Sequence, residues 1–105
     1  MVNEAKLGFA NPWHPMDKVI DLKHLGKLSE ELGECTASVS RCIIQGIDEK
    51  EPVTGIINRH WLENEIADVC ANIDLVIDHF KLDRERMKKR RNIKTEFLRG
   101  WHLQA

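Results

Sequence analysis

The chain has 105 residues, 31% of them charged and 42% apolar, with a formal net charge of -1. Such a composition describes one small helix-rich domain, leaves no room for a second, and excludes a disordered polymer. The charge is unevenly spread: residues 84–99 carry eight of the sixteen Lys and Arg against only Glu85 and Glu96, so the remainder is acidic. Cys35, Cys42 and Cys70 lie within apolar stripes and form no CxxC pair, which argues against a zinc or redox motif and predicts buried thiols in a reducing compartment. No apolar run approaches the roughly 20 residues of a membrane span, and residues 1–16 hold no stretch of signal-peptide type, so a cytoplasmic location without membrane contact is expected.

In chain order, residues 1–16 carry Gly8, Pro12 and Pro15 around Trp13 and His14, which predicts an irregular arm ahead of a single domain over 17–105. Asp17 or Asp21 is a candidate cap for a first helix. Leu25, Leu28, Leu32, Cys35, Val39 and Cys42 then recur at spacings of three and four, giving a narrow apolar seam that runs to about Gln45 and stops at Gly46. Residues 46–58, with Pro52 and Gly55, read as a loop with room for a short helical turn, and its length hints at function. Asn58 suits the N-cap of a second helix, with the seam Leu62, Ile66, Val69, Ile73, Val76 and Phe80 and an end near Lys81. Asp83 should cap a third helix through about Arg99, with Gly100 as terminator.

At 100° per residue, His24, Lys27, Glu31, Glu34 and Ser38 form a polar stripe beside the first seam, and Trp61, Glu65, Asp68, Asn72 and His79 form one beside the second. Antiparallel packing of the seams would bring four carboxylates to one groove, where hard oxygen donors suit magnesium or manganese and would repel one another without a cation. Either acidic motif alone reads as solvated helix surface; the two on paired helices favour a site. No ExxH follows either motif, which argues against a ferritin-like di-iron centre.

The third helix should present Met87, Arg91, Lys94, Leu98 and Trp101 inward, so two cations interrupt its apolar side. They need anionic partners, either the carboxylates or, where metal occupies those, phosphates. Three helices with narrow seams do not complete a four-helix core alone, so the expected fold class is an all-α bundle completed by oligomerisation, as a homodimer or homotetramer.

The run Glu30-Glu31-Leu32-Gly33-Glu34 followed by Glu65-Ile66-Ala67-Asp68 resembles the EExxE and ExxD signature of the all-alpha nucleoside triphosphate pyrophosphohydrolases, the MazG-like superfamily. The resemblance spans about residues 20–101. It implies that Glu31, Glu34, Glu65 and Asp68 are the catalytic metal ligands for magnesium or manganese, with Glu30 an auxiliary acid. By the same resemblance Arg91 and Lys94 hold phosphate, and the reaction takes a nucleoside triphosphate to the monophosphate and pyrophosphate. Residues 51–55 and 61–68 look most like small phage-type members, some of which act on dGTP and dATP; the compartment would then be the host cytoplasm. Trp61 and Trp13 are candidates to stack on the base and His24 and Asn72 to read it, although Trp61 equally suits a helix anchor, His24 a surface histidine and Asn72 a buried hydrogen bond.

Two other functions compete. A small helical protein could bind nucleic acid through the basic third helix; the acidic remainder and the lack of a recognition motif argue against it. A structural bundle without chemistry would bind no divalent ion.

Overall fold

The computed structural model describes residues 12–104, and they build three helices: α1 (Val19–Gln45), α2 (Asn58–Phe80) and α3 (Arg84–Leu103). The expected all-α class is observed, and the one β feature among the described residues is a lone antiparallel bridge between Lys50 and Ile57. Irregular chain continues through residue 18, two residues beyond the expected arm, whose residues 1–11 lie outside the described part.

Helix boundaries follow local chemistry with instructive exceptions. Lys18, not an aspartate, takes the N-cap position of α1 and gives no side-chain cap; Asp21 instead accepts from or pairs with His79 at 2.6 Å. Gly46 ends α1 as expected, at a φ of 105° that glycine adopts without penalty. Ile57 takes the N-cap position of α2 that was expected of Asn58. Asn58 is drawn inside by a stronger demand: its Nδ2 donates to Gln45 Oε1 and to the carbonyl of Gly46, both at 3.0 Å, so it satisfies the open end of α1. Lys81 closes α2 in the left-handed conformation, and the Asp83 side chain caps α3 by accepting from the Arg86 amide. Gly100 does not terminate α3, which continues to Leu103; an isolated helical glycine costs only about 1 kcal/mol, too little to stop a helix by itself.

The 46–57 connection is closed on itself and contains the short helical turn it had room for: the Gly55 amide donates to the Glu51 carbonyl, four residues back, at 2.8 Å. Glu51 accepts from the amides of Val53 and Thr54 and from the Thr54 hydroxyl. The Arg59 guanidinium forks onto both oxygens of Asp48 at 2.7 and 3.0 Å. Asp21–His79 at one end and Gln45–Asn58 at the other make α1 and α2 an antiparallel pair clasped at both ends.

On α1 the contact line with α2 is rotated from the expected seam toward the polar stripe. α1 withdraws Asp21, His24, Leu28, Glu31, Cys35, Ser38 and Cys42 from solvent. Half of its expected seam stays out, Leu32 at 48% and Val39 at 43% exposure. On α2 the expected seam does turn inward: Val76 is buried, Leu62, Val69, Ile73 and Phe80 are half-buried and Ile66 stays 47% exposed, with Ile77 buried and Trp61 and Glu65 half-buried on either side. Of the three cysteines expected to be buried, Cys35 and Cys42 are partly so and Cys70 is exposed. α3 buries no residue, and α1–α2 is the one substantial helix packing among the described residues. The residues of the expected inward line on α3 stay exposed within one chain, and two of them, Met87 and Arg91, line an open cleft against Ile73 and Ile77 of α2.

Asn58→Ala removes two buried hydrogen bonds and strands the Gly46 carbonyl. It should lower unfolding free energy by about 2–3 kcal/mol, measured by urea titration, and Asn58→Asp, which keeps the shape but loses the donors, should not rescue it.

Candidate metal centre

Glu31 and Glu34 are one turn apart on α1, and Glu65 and Asp68 one turn apart on α2, so antiparallel pairing brings the two motifs level. Glu31, Glu65 and Asp68 each offer an oxygen within 4.8 Å of the others. Glu31 is only 8% exposed, and its Oε2 and that of Glu65 are buried with no hydrogen-bond partner. Buried carboxylate oxygens without donors are unfavourable, and oxygens converging from two helices suit a hard cation. The chemistry of this donor set fits magnesium or manganese, which both accept all-oxygen ligation.

Glu34 stands beside this triad and is exposed. The negative charge of Glu31, with smaller help from burial and Glu65, holds its carboxyl above the ordinary value of 4.5, the signature of like charges sharing a groove. Lys27 offsets part of that charge through contacts of 3.3 Å to Glu31 and 3.4 Å to Glu30, which raise its own pKa, Glu31 contributing most. Glu30, the expected auxiliary acid, is exposed and engaged by Lys27 on the outer side of α1.

The other expected residues divide. Trp61 is half-buried near the triad, its Nε1 buried without a partner and its ring covered by the Arg41 guanidinium at 5.3 Å. Asn72 donates to the Asp68 carbonyl of its own helix. His24 stacks on His79 with centroids 4.1 Å apart, seven residues and about 10 Å of helix rise from Glu31. Trp13 lies in the irregular segment at 75% exposure. Arg91 and Lys94 are exposed on α3 with no carboxylate within 4.0 Å among the described residues; both line an open cleft formed by Leu82, Asp83 and α3, Arg91 also lines the cleft between α2 and α3, and the ammonium of Lys94 sits over Phe97. Within one chain they do not join the triad.

Sequence reasoning gave no role to Ser38 or Arg41. Ser38 is 1% exposed with an unpartnered hydroxyl. Arg41 follows Ser38 by three residues and so extends the polar stripe of Glu31, Glu34 and Ser38 by one turn, the signal that could have found it.

The sign of the Glu34 shift sets a pH response. Above 4.5 the folded protein keeps a proton that the unfolded chain releases, so this contribution to stability is complete below 4.5 and is lost as pH rises through the raised value. Asp48, lowered by its hydrogen bonds from Arg59, and Glu51, lowered by the Thr54 amide, act in the opposite sense and in a different window. Their contribution is complete above 3.8 and 4.5 and is lost as pH falls. The contribution of Glu34 to the melting temperature of the metal-free protein should therefore decline as pH rises above 4.5, and Glu34→Gln should flatten that decline in scanning calorimetry.

No protein-family model, curated protein or solved structure matches the chain.

Proposed function

We propose that this protein is a metal-dependent nucleoside triphosphate pyrophosphohydrolase. One observation carries the reading: carboxylates from two antiparallel helices converge with unpartnered buried oxygens at Glu31 and Glu65. A purely structural cluster would be expected to end in donors, as Asp48 and Glu51 do in the loop.

Glu31, Glu65 and Asp68 would hold the cation, with Glu34 at the edge as a fourth ligand. Magnesium or manganese bound there supplies Lewis acidity toward a phosphate and lowers the pKa of an attacking water. The chain's own residues do the remainder. Lys27 holds Glu31 toward the groove, and the half-buried Trp61 face backed by Arg41 offers a flat surface for a base, in keeping with the expected preference for dGTP or dATP. Attack at the α-phosphate, giving the nucleoside monophosphate and pyrophosphate, is the reaction that the resemblance of the two acidic motifs to the MazG-like signature implies. The role expected of Arg91 and Lys94 toward the leaving group requires them to approach from another copy of the chain or after α3 has moved.

A second reading, a nucleic-acid-binding helix, is favoured by six α3 cations that lack a carboxylate within 4.0 Å among the described residues: Arg86, Lys88, Lys89, Arg90, Arg91 and Lys94. It leaves the acidic convergence without a role.

Saturating magnesium, at 100 times its dissociation constant, should stabilise the protein by about 2.7 kcal/mol, visible as a thermal shift. Glu31→Gln and Asp68→Asn should lose both the shift and activity, while melting no lower than the metal-free wild type. An unmoved melting curve with magnesium and manganese would sink the metal assignment.

The bond cleaved is tested separately. Hydrolysis of dGTP in oxygen-18 water should label the monophosphate and leave pyrophosphate unlabelled. Labelled orthophosphate with a nucleoside diphosphate as co-product would refute the pyrophosphohydrolase reading even if the metal binds.

A further inference from the structure

Lys27 and Trp61 each stand four residues ahead of the first triad carboxylate of their own helix, Glu31 on α1 and Glu65 on α2. Four residues are close to one turn and rise about 6 Å, so each lies along the acidic edge of its helix. The helices run antiparallel, and the two displacements therefore point in opposite directions. The triad of Glu31, Glu65 and Asp68 sits between Lys27 and Trp61.

The two ends of this edge differ in chemistry. Toward the start of α1, Lys27 reaches Glu31 at 3.3 Å and Glu30 at 3.4 Å while its side chain stays 54% exposed. Lys23, one turn further, has no carboxylate within 4.0 Å among the described residues. Across from them Asn72 and His79 continue the α2 edge beyond Asp68, and the nearby Asp21 is already held by His79 at 2.6 Å. Toward the turn, Arg41 is committed: its guanidinium lies 5.3 Å from the Trp61 ring centroid, and its charge also acts on Glu51 of the loop. That end offers a flat ring with the buried, unpartnered Trp61 Nε1 and Ser38 Oγ, which suits a base, while the other offers ammonium groups, which suit phosphate.

The cations expected to take the phosphates stand elsewhere in the chain. Arg91 lines the cleft with Ile73 and Ile77 of α2, whose mean direction is roughly 130° round that helix from Glu65 and Asp68. Lys27 needs neither a second copy nor a moved α3. Its rise of about 6 Å from Glu31 matches the span of a triphosphate from its α- to its γ-phosphorus.

We propose that Lys27 binds the β- and γ-phosphates through its ammonium once Glu31 is engaged by a cation, so that a nucleoside triphosphate lies with its tail toward the start of α1 and its base on Trp61. The inference rests on the metal-site reading and adds to it a residue and a direction. Exchanging Glu31 for phosphate oxygens leaves neither the carboxylate nor the ammonium without a partner. The direction also separates two residues expected at the base: His24, on the Lys27 side of the triad, does not share a base with Trp61.

The test uses the whole chain in saturating magnesium, with inorganic pyrophosphate and dGMP titrated separately by calorimetry. Lys27→Met should weaken pyrophosphate by at least about tenfold, the scale of one charge-assisted contact, and leave dGMP unmoved; Lys27→Arg, which keeps the charge, should restore most of the loss. Arg41→Met should do the reverse, weakening dGMP and sparing pyrophosphate. The magnesium-induced thermal shift of Lys27→Met should be at least that of the wild type, since the ammonium no longer competes for Glu31. Four results overturn the proposal: a wild type that binds no pyrophosphate, Lys27→Met binding it as the wild type does, equal loss of dGMP in that variant, or loss of pyrophosphate in Arg41→Met. A Lys27→Met protein that loses the magnesium shift overturns it as well, because Lys27 would then act only through Glu31. A wild type whose melting curve ignores magnesium sinks the metal reading together with this one, whereas an intact magnesium shift with pyrophosphate binding indifferent to Lys27 sinks this one alone.

Discussion

The constraint on which this molecule turns is that its one substantial helix interface contains acid. Glu31 is 8% exposed at the centre of the α1–α2 contact, level with Glu65. Placing carboxylates there opposes packing, because burial penalises their charge and neighbouring acids raise the penalty further. The visible compensations are partial: Lys27 reaches Glu31 at 3.3 Å from a largely exposed position, where an ion pair contributes little. The pair is held instead at its ends, by Asp21–His79 and by the Asn58–Gln45–Gly46 contacts. The architecture is that of a frame that keeps unfavourable groups together.

That frame fixes register. The Arg59–Asp48 fork, the amide of Asn58 bonded to the Glu49 carbonyl and the amide of Arg59 bonded to the Ile47 carbonyl tie the start of α2 to the turn leaving α1. A slip of one residue would rotate Glu65 and Asp68 by 100° away from Glu31. The long connection between the two acidic motifs thus serves alignment, and Gly46, at a φ of 105°, is the point where the chain reverses to allow it.

Much of this was legible in the sequence. Spacing alone gave three helices, the Gly46 stop, the Asp83 cap and the level placement of ExxE and ExxD. What it did not give was which edge of the first helix turns inward. Glu31 and Leu32 stand 100° apart, on either side of the line through Leu28, Cys35 and Cys42, and apolar periodicity favours Leu32; the packed pair instead buries Glu31 and Ser38. Asn58 was misplaced for a related reason: the side chain that makes a good N-cap also makes a good buried donor, and only the three-dimensional position of the Gly46 carbonyl decides between them. Arg91 and Lys94 were read on an inward line, and Met87 and Arg91 of that line do face a cleft against Ile73 and Ile77 of α2, on the side of that helix turned away from Glu65 and Asp68.

The link between the second and third helices is short and stiff. Lys81 sits at a φ of 52°, the Leu82 amide bonds to the Ile77 carbonyl at 3.0 Å, and the Asp83 side chain starts α3 at once. Three residues so constrained leave little slack, so α3 takes its direction from the end of α2. Its twenty residues span about 30 Å, and a tilt of about 5° at Lys81 would sweep its far end through about 2.6 Å by that length. A small repositioning of the acidic helix α2 is thereby magnified at Trp101 into a displacement large enough to change contacts, which makes α3 a lever whose fulcrum is a single left-handed lysine.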